Sequence, residues 1–258
     1  MLIGAQLFTL RESCKTLEDL DETLKRVADM GMKAVQLSGV CAYEADWMTE
    51  KLKAYGLIAP ITHFAYDKTV GDPAETLKFH QKMGTTYIGL GMMPGQYLRD
   101  VNEQKVNDFI AEVKPAVETF AAGGCKFMYH NHWHEFAKIN DRFILDMLCD
   151  AFPAESFGVT ADVYWIQHAG EDPVAWLHKL KGRVDCAHFK DMAKDADGKN
   201  MMVANGEGTE MDYPAILKAC VDTGVKYGFI EQDDCHGKDP FACMKRSLDY
   251  FRAMGFND

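Results

Sequence analysis

The chain has 258 residues, a formal net charge of -11, and 47% hydrophobic against 26% charged residues. This is an ordinary globular composition with enough apolar material for a large core. The acidic balance speaks against a nucleic-acid groove, because phosphate binding needs clustered Lys and Arg, and the basic run Lys179 to Arg183 reads as a solvated helix end.

Short, continuously apolar runs predict strands at Leu2–Phe8, Ala34–Leu37, Ile58–His63, Tyr87–Leu90, Lys126–His130, Phe157–Val163, Val184–His188 and Gly228–Glu231. Unbroken apolarity is expected of strands covered on both faces of a parallel sheet. Amphipathic helices are predicted between them at Leu17–Met30, Ala45–Tyr55, Pro73–Met83, Glu103–Ala122, Asp141–Asp150, Pro173–Leu180, Tyr213–Thr223 and Pro240–Met254. Thr16 is placed to cap the first, with Asp19 three residues on, and Pro73 takes a first-turn position. Gly31, Gly56, Gly84, Gly123, Gly182, Gly224 and Gly255 follow helix ends, where a left-handed residue closes the last turn. The polar stretch Asp195–Asn205 reads as a long loop after the seventh strand. Eight strands alternating with eight helices, without a linker, point to one (β/α)8 barrel domain over residues 1–258. A doubly wound open sheet should show a Gly-rich phosphate loop after the first strand, and Phe8-Thr9-Leu10-Arg11-Glu12-Ser13 is not one.

The eight cysteines form no CxxC pair, and several lie in apolar runs, as Cys186 does. Reduced, buried thiols are expected. No apolar stretch approaches a membrane span, and the first residues show neither a basic segment nor a cleavage site, so a cytoplasmic location is expected.

Barrel chemistry gathers at the C-terminal ends of the strands. Those ends carry Gln6, Gln36, His63, His130-Asn131-His132 with Glu135, Asp162, His188 with Lys190 and Asp191, and Glu231 with Asp233. Imidazoles and carboxylates accumulate at the last four, where a bland barrel would show small or apolar residues. Mixed His, Asp and Glu ligands suit one divalent ion such as Mn, Zn, Co or Mg.

At these residues the chain resembles the xylose isomerase-like TIM barrel superfamily, in its sugar phosphate isomerase/epimerase group. The blocks that carry the likeness are Tyr129-His130-Asn131-His132-Trp133-His134-Glu135-Phe136, Ala161-Asp162-Val163-Tyr164-Trp165, Ala187-His188-Phe189-Lys190-Asp191-Met192, Asn205-Gly206-Glu207-Gly208 and Ile230-Glu231-Gln232-Asp233. The resemblance implies a divalent ion held by a Glu, an Asp, a His and a second Glu from successive strand ends. Asp162, His188 and Glu231 match these positions. Many relatives carry a Glu where this chain has His130, so the first ligand is either His130 or Glu135. Glu135 is favoured because it restores three carboxylates and one imidazole.

The implied reaction removes a proton next to a carbonyl of a sugar or polyol. Its return to carbon gives isomerisation or epimerisation. The chain also resembles inosose dehydratases and enzymes of 3-keto sugars, in which a β-hydroxyl departs instead. His130 and Glu231 are the expected acid/base pair, with His132 or Lys190 protonating oxygen, and His63, Trp165 and Glu207 facing the substrate. Only Arg11 and Lys190 offer charge for a phosphate, which favours an unphosphorylated substrate. The expected partner is this small molecule, with no nucleic acid and no membrane; homo-oligomer formation is left open. A barrel nuclease would need more ligands and a basic face, and a binding barrel without catalysis would not need three matched ligands.

Overall fold

Each apolar run becomes one stave of a closed parallel sheet. The computed structural model describes residues 1–256. Its barrel strands are β1 (Leu2–Gln6), β2 (Ala34–Leu37), β3 (Ile58–His63), β4 (Tyr87–Leu90), β5 (Lys126–His130), β6 (Phe157–Asp162), β7 (Cys186–Phe189) and β8 (Tyr227–Ile230), and β1 pairs with both β2 and β8 to close the ring. This is the (β/α)8 TIM barrel that the alternation predicts.

Successive side chains of a strand point to opposite faces, and the barrel uses this to make two cores. Ala34, Ile61, Tyr87, Met128, Cys186 and Phe229 fill the interior. Their neighbours Val35, Ile88, Phe127, Tyr129, Ala187 and Ile230 pack outward in the larger core beneath the helices. The inward series continues upward to His63, His130, His188 and Glu231, each two residues beyond an interior core residue. The same parity that fills the barrel therefore aims the polar groups.

Strand ends differ from expectation by a residue or two. β1 stops at Gln6, whose side chain accepts from Phe8 N at 2.9 Å and turns the chain into the 3-10 segment Leu7–Ser13. β6 stops at Asp162, which caps the short helix Val163–His168 through Trp165 N at 3.1 Å. Thr16 and Asp19 form the expected reciprocal capping box. The helix expected from Asp141 begins at Ile144, because Lys138–Ile139 and Arg142–Phe143 form a hairpin. Its two turn residues, Asn140 and Asp141, adopt φ of 49° and 63°, as a tight two-residue hairpin turn requires. After the long helix Glu103–Ala122 the left-handed residue is Gly124, φ 77°, not Gly123. The expected loop Asp195–Asn205 contains a hairpin arm: Asn200–Val203 pairs antiparallel with Asp191–Lys194, and Met202, set opposite Met192, buries with it against Tyr164. All eight cysteines are free, and no described helix is long and apolar enough to cross a membrane.

The N-terminal end of the barrel is closed by a charge network. Asp185 receives Lys126 Nζ at 2.8 Å and Lys226 Nζ at 2.8 Å, and Lys226 also donates to Tyr87 OH at 2.9 Å. Burial pushes the Asp185 carboxyl up, but the two ammonium groups more than offset this and hold it below its ordinary value. A depressed carboxylate stabilises the fold above its unfolded pKa and loses that contribution as pH falls through the folded one. Asp185→Asn should therefore cost about 1–3 kcal/mol at pH 7. In urea unfolding followed by circular dichroism, the gap to wild type should shrink as the pH is lowered through the carboxylate range.

Candidate metal centre

Four consecutive strand ends deliver four buried groups to one point. His130 from β5, Asp162 from β6, His188 from β7 and Glu231 just past β8 each offer a ligand atom, and these atoms lie within 4.8 Å of one another. Backbone ties hold the ends in place. Asn131 accepts from Asp162 N at 3.0 Å and donates to Asp162 O at 3.3 Å, which links β5 to β6. Thr9 Oγ1 accepts from Gln232 N at 2.9 Å and fixes the chain beyond Glu231.

Second partners set the tautomers of the two imidazoles. His130 Nδ1 lies 2.8 Å from the carbonyl oxygen of Gly91, which can only accept. Nδ1 therefore carries a proton, and Nε2 faces Asp162 Oδ2 at 3.1 Å. His188 Nε2 lies 2.6 Å from Gln36 Oε1; a proton donated there leaves Nδ1 as the bare nitrogen of a neutral ring. That atom stands 2.8 Å from Glu231 Oε2, yet neither atom makes a hydrogen bond. A buried lone pair facing a buried carboxylate oxygen is costly in itself and is what two ligands of one cation look like. The donor set, two imidazoles and two carboxylates, suits a borderline divalent ion.

Charge points the same way. Lys190 Nζ lies 3.1 Å from Asp162 Oδ2, 3.1 Å from Glu231 Oε2 and 2.8 Å from Asp233 Oδ2. Three carboxylates against one ammonium leave two negative charges, which a divalent ion would cancel. Burial would lower the His130 imidazolium, and the Asp162 carboxylate instead raises it. Burial would lower the Lys190 ammonium, and the three carboxylates instead raise it. Burial would raise the Asp162 carboxyl, but Lys190 and His130 bring it down to about 2. Glu231 is held well below the usual range, chiefly by the Lys190 ammonium, against the opposing effect of burial. Burial and the Glu231 charge push Asp233 up to about 6. Burial, then His130 and Lys190, push His132 down to about 2, so its ring is neutral.

A cavity of about 460 Å3 opens on the cluster, bordered by His63, His130, His132, Lys190, Glu231 and Asp233. His63, His130, His132, Lys190 and Glu231 are thus brought together. Trp165 stands behind this wall, its ring 5.6 Å from His132 and 5.4 Å from Lys190 Nζ.

The structure does not bring Glu135 to the cluster. Its carboxylate accepts from Tyr129 OH at 2.6 Å and from His132 N at 2.7 Å. Tyr129 belongs to the outer core, so Glu135 serves the helix side of the wall, opposite to the face on which His130 points inward. His130 takes the position expected for Glu135. Glu207 is also turned away: it pairs with Lys238 at 3.1 Å and Arg246 at 2.8 Å. The cause is Asp191, whose Oδ2 accepts from Gly206 N at 2.9 Å and Gly208 N at 3.1 Å and cinches the loop. Arg11 is occupied by the carbonyl oxygens of Phe8 and Asp233, at 2.7 and 2.9 Å. Sequence reasoning gave no role to Gln36, Gly91 or Asp233; two polar residues at strand ends, Gln36 and Asp233, were the available signal.

With this geometry in view, the comparisons decide the family. The profile of the xylose isomerase-like TIM barrel family matches residues 15–254. The chain belongs to that family. No curated protein matches it. Among solved structures it is similar to a sugar phosphate isomerase/epimerase from Parabacteroides distasonis, with a TM-score of 0.83 at 19% identity over 99% of this chain and 95% of the other. An L-ribulose 3-epimerase superposes with a TM-score of 0.73 at 14% identity over 99% and 95%. A probable 3-DHS dehydratase involved in petrobactin synthesis in Bacillus anthracis gives 0.73 at 16% identity over 98% and 99%. At these identities the likeness speaks to the fold of this family member.

Elemental analysis after loading with Mn2+ should separate the two candidates for first ligand. His130→Ala and Asp162→Ala should lose the ion, while Glu135→Ala should retain it. Gln36→Leu, which strips His188 of its orienting acceptor, should weaken binding about ten- to a hundredfold.

Proposed function

We propose that the protein is a divalent-metal-dependent sugar isomerase or epimerase that removes a proton next to a carbonyl of a sugar or polyol. The observation that carries this reading is the set of four ligand-type atoms from four consecutive strand ends, opening on a cavity that holds a further ammonium and a further carboxylate. His130, Asp162, His188 and Glu231 are the residues that would hold the ion. Bound there, a divalent ion supplies Lewis-acid charge that makes the carbon beside a carbonyl more acidic.

The chain's own groups divide the remaining work. Asp233 lines the cavity without belonging to the four-ligand group, and Lys190 holds its Oδ2 at 2.8 Å. It is the better-placed proton acceptor, because Glu231 belongs to the group that would hold the ion, whereas Asp233 lines the cavity outside that group. The Lys190 ammonium stands ready to donate to the oxygen on which negative charge develops. Neutral His132 and His63 border the same space, and their buried ring nitrogens His132 Nδ1 and His63 Nε2 have no partner.

A second reading, dehydration of a keto-inositol or 3-keto sugar, has one observation in its favour. A two-base epimerase needs acid/base groups on both faces of its substrate. Here His130 stands at the β5 end among the four ligand-type groups, and Asp233 is the carboxylate left over on the β8 side.

Incubation of keto-sugars, aldoses and inososes in D2O, followed by proton NMR, tests both. Deuterium on carbon identifies isomerisation or epimerisation, and loss of water with an enone absorbance identifies dehydration. Hydrolysis of esters or phosphodiesters with neither signal would sink the proton-abstraction reading. Asp233→Asn should keep the ion and lower turnover by about two to four orders of magnitude. Near-wild-type turnover in that variant would return the base to Glu231.

A further inference from the structure

A second cavity of about 500 Å3 adjoins the first, and Ser38, His63 and Phe64 border both. His63 lies on the wall they share. Its Nδ1 lies 3.2 Å from Ser38 Oγ, and its ring centre lies 5.0 Å from His130 and 5.4 Å from His188. The two chambers differ in chemistry. The first is walled by imidazoles, carboxylates and an ammonium. The second is walled by Val40, Tyr43, Phe64 and Phe79, with ring centres 5.7 Å apart for Tyr43 and Phe79 and 5.4 Å apart for Phe64 and Phe79. Its charged residues, Lys68, Asp72 and Glu75, are exposed and stand at the rim. Val40, Tyr43, Phe64 and Phe79 are only half-buried, so apolar surface is left to cover.

We propose that the substrate is a sugar carrying an apolar, ring-sized substituent, with the sugar in the polar cavity and the substituent in the aromatic chamber. This rests on the sugar reading above. A free sugar gains little from an aromatic wall beyond the shared one, whereas a ring stacked among Tyr43, Phe64 and Phe79 removes apolar area from water on both partners. Because the two cavities share the wall of Ser38, His63 and Phe64, a substituent attached to a sugar at the four-ligand cluster is within reach of the chamber.

The test is isothermal titration of the full-length protein as purified with phenyl β-D-glucopyranoside, methyl β-D-glucopyranoside and phenol. The phenyl glycoside should bind about ten- to a hundredfold more tightly than the methyl glycoside, and more tightly than phenol. Phe79→Ala and Val40→Asp should each erase most of that preference, with circular dichroism confirming that the variants are folded. Equal affinity for the two glycosides, no binding of either, phenol binding as tightly as the phenyl glycoside, or a preference undiminished in both folded variants would each overturn the proposal. None of these readouts requires turnover or a metal. A protein that prefers the phenyl glycoside yet neither takes up a divalent ion nor exchanges deuterium would sink the reaction reading and leave the chamber assignment standing.

Discussion

The centre depends on two neutral acceptors, the carbonyl oxygen of Gly91 and the amide oxygen of Gln36. Each takes a ring N–H from one histidine and so turns the other nitrogen toward the carboxylates. Without them the imidazoles would be free to rotate or to change tautomer, and a lone pair would be aimed at the cluster only part of the time. The arrangement also explains why burial of so many polar groups is tolerable. His130, Asp162, His188, Lys190 and Glu231 are all almost fully buried, and each is tied to a charge or an oriented dipole, while His188 Nδ1 faces Glu231 Oε2 without a hydrogen bond.

Lys190 competes with any cation for Asp162 Oδ2 and Glu231 Oε2, at 3.1 Å from each. The ammonium leans as well on Asp233, at 2.8 Å, which gives it a resting partner outside the ligand group. An ammonium shared among Asp162, Glu231 and Asp233 couples the charge of the four-residue group to that of Asp233. The pair Lys190 and Asp233 is therefore better understood as one charge-sharing unit than as two side chains.

Much of this was legible in the sequence because the barrel obeys a period of two. Cys186, His188 and Lys190 lie on one face of one strand and its extension, as do Met128 and His130, or Phe229 and Glu231. Once the strands are located, the inward residues follow. What was not legible is set by turns. Glu135 lies in a 3-10 turn, His134–Phe136, whose direction no periodicity announces, and an outward-facing Tyr129 captures it. Charge balance argued for three carboxylates among the ligands; the third charge is present, but as Asp233 beside Lys190. Glu207 was read from its motif, and the motif's glycines serve the loop's path rather than the substrate. The arm Asn200–Val203 was read as loop because the polar residues before it masked a short apolar run that pairs with Asp191–Lys194.

The clasp on that loop constrains what can stand at either of its ends. A Cβ at position 208 would overlap the Asp191 carboxylate and the Met192 carbonyl oxygen, while the same carboxylate holds the backbone amides of residues 206 and 208. Neither partner can change alone without losing the loop's anchor or colliding with it. Positions 191 and 208 should thus covary as a unit across divergent lineages, and a homologue in which both differ would mark a branch that braces this loop by another means.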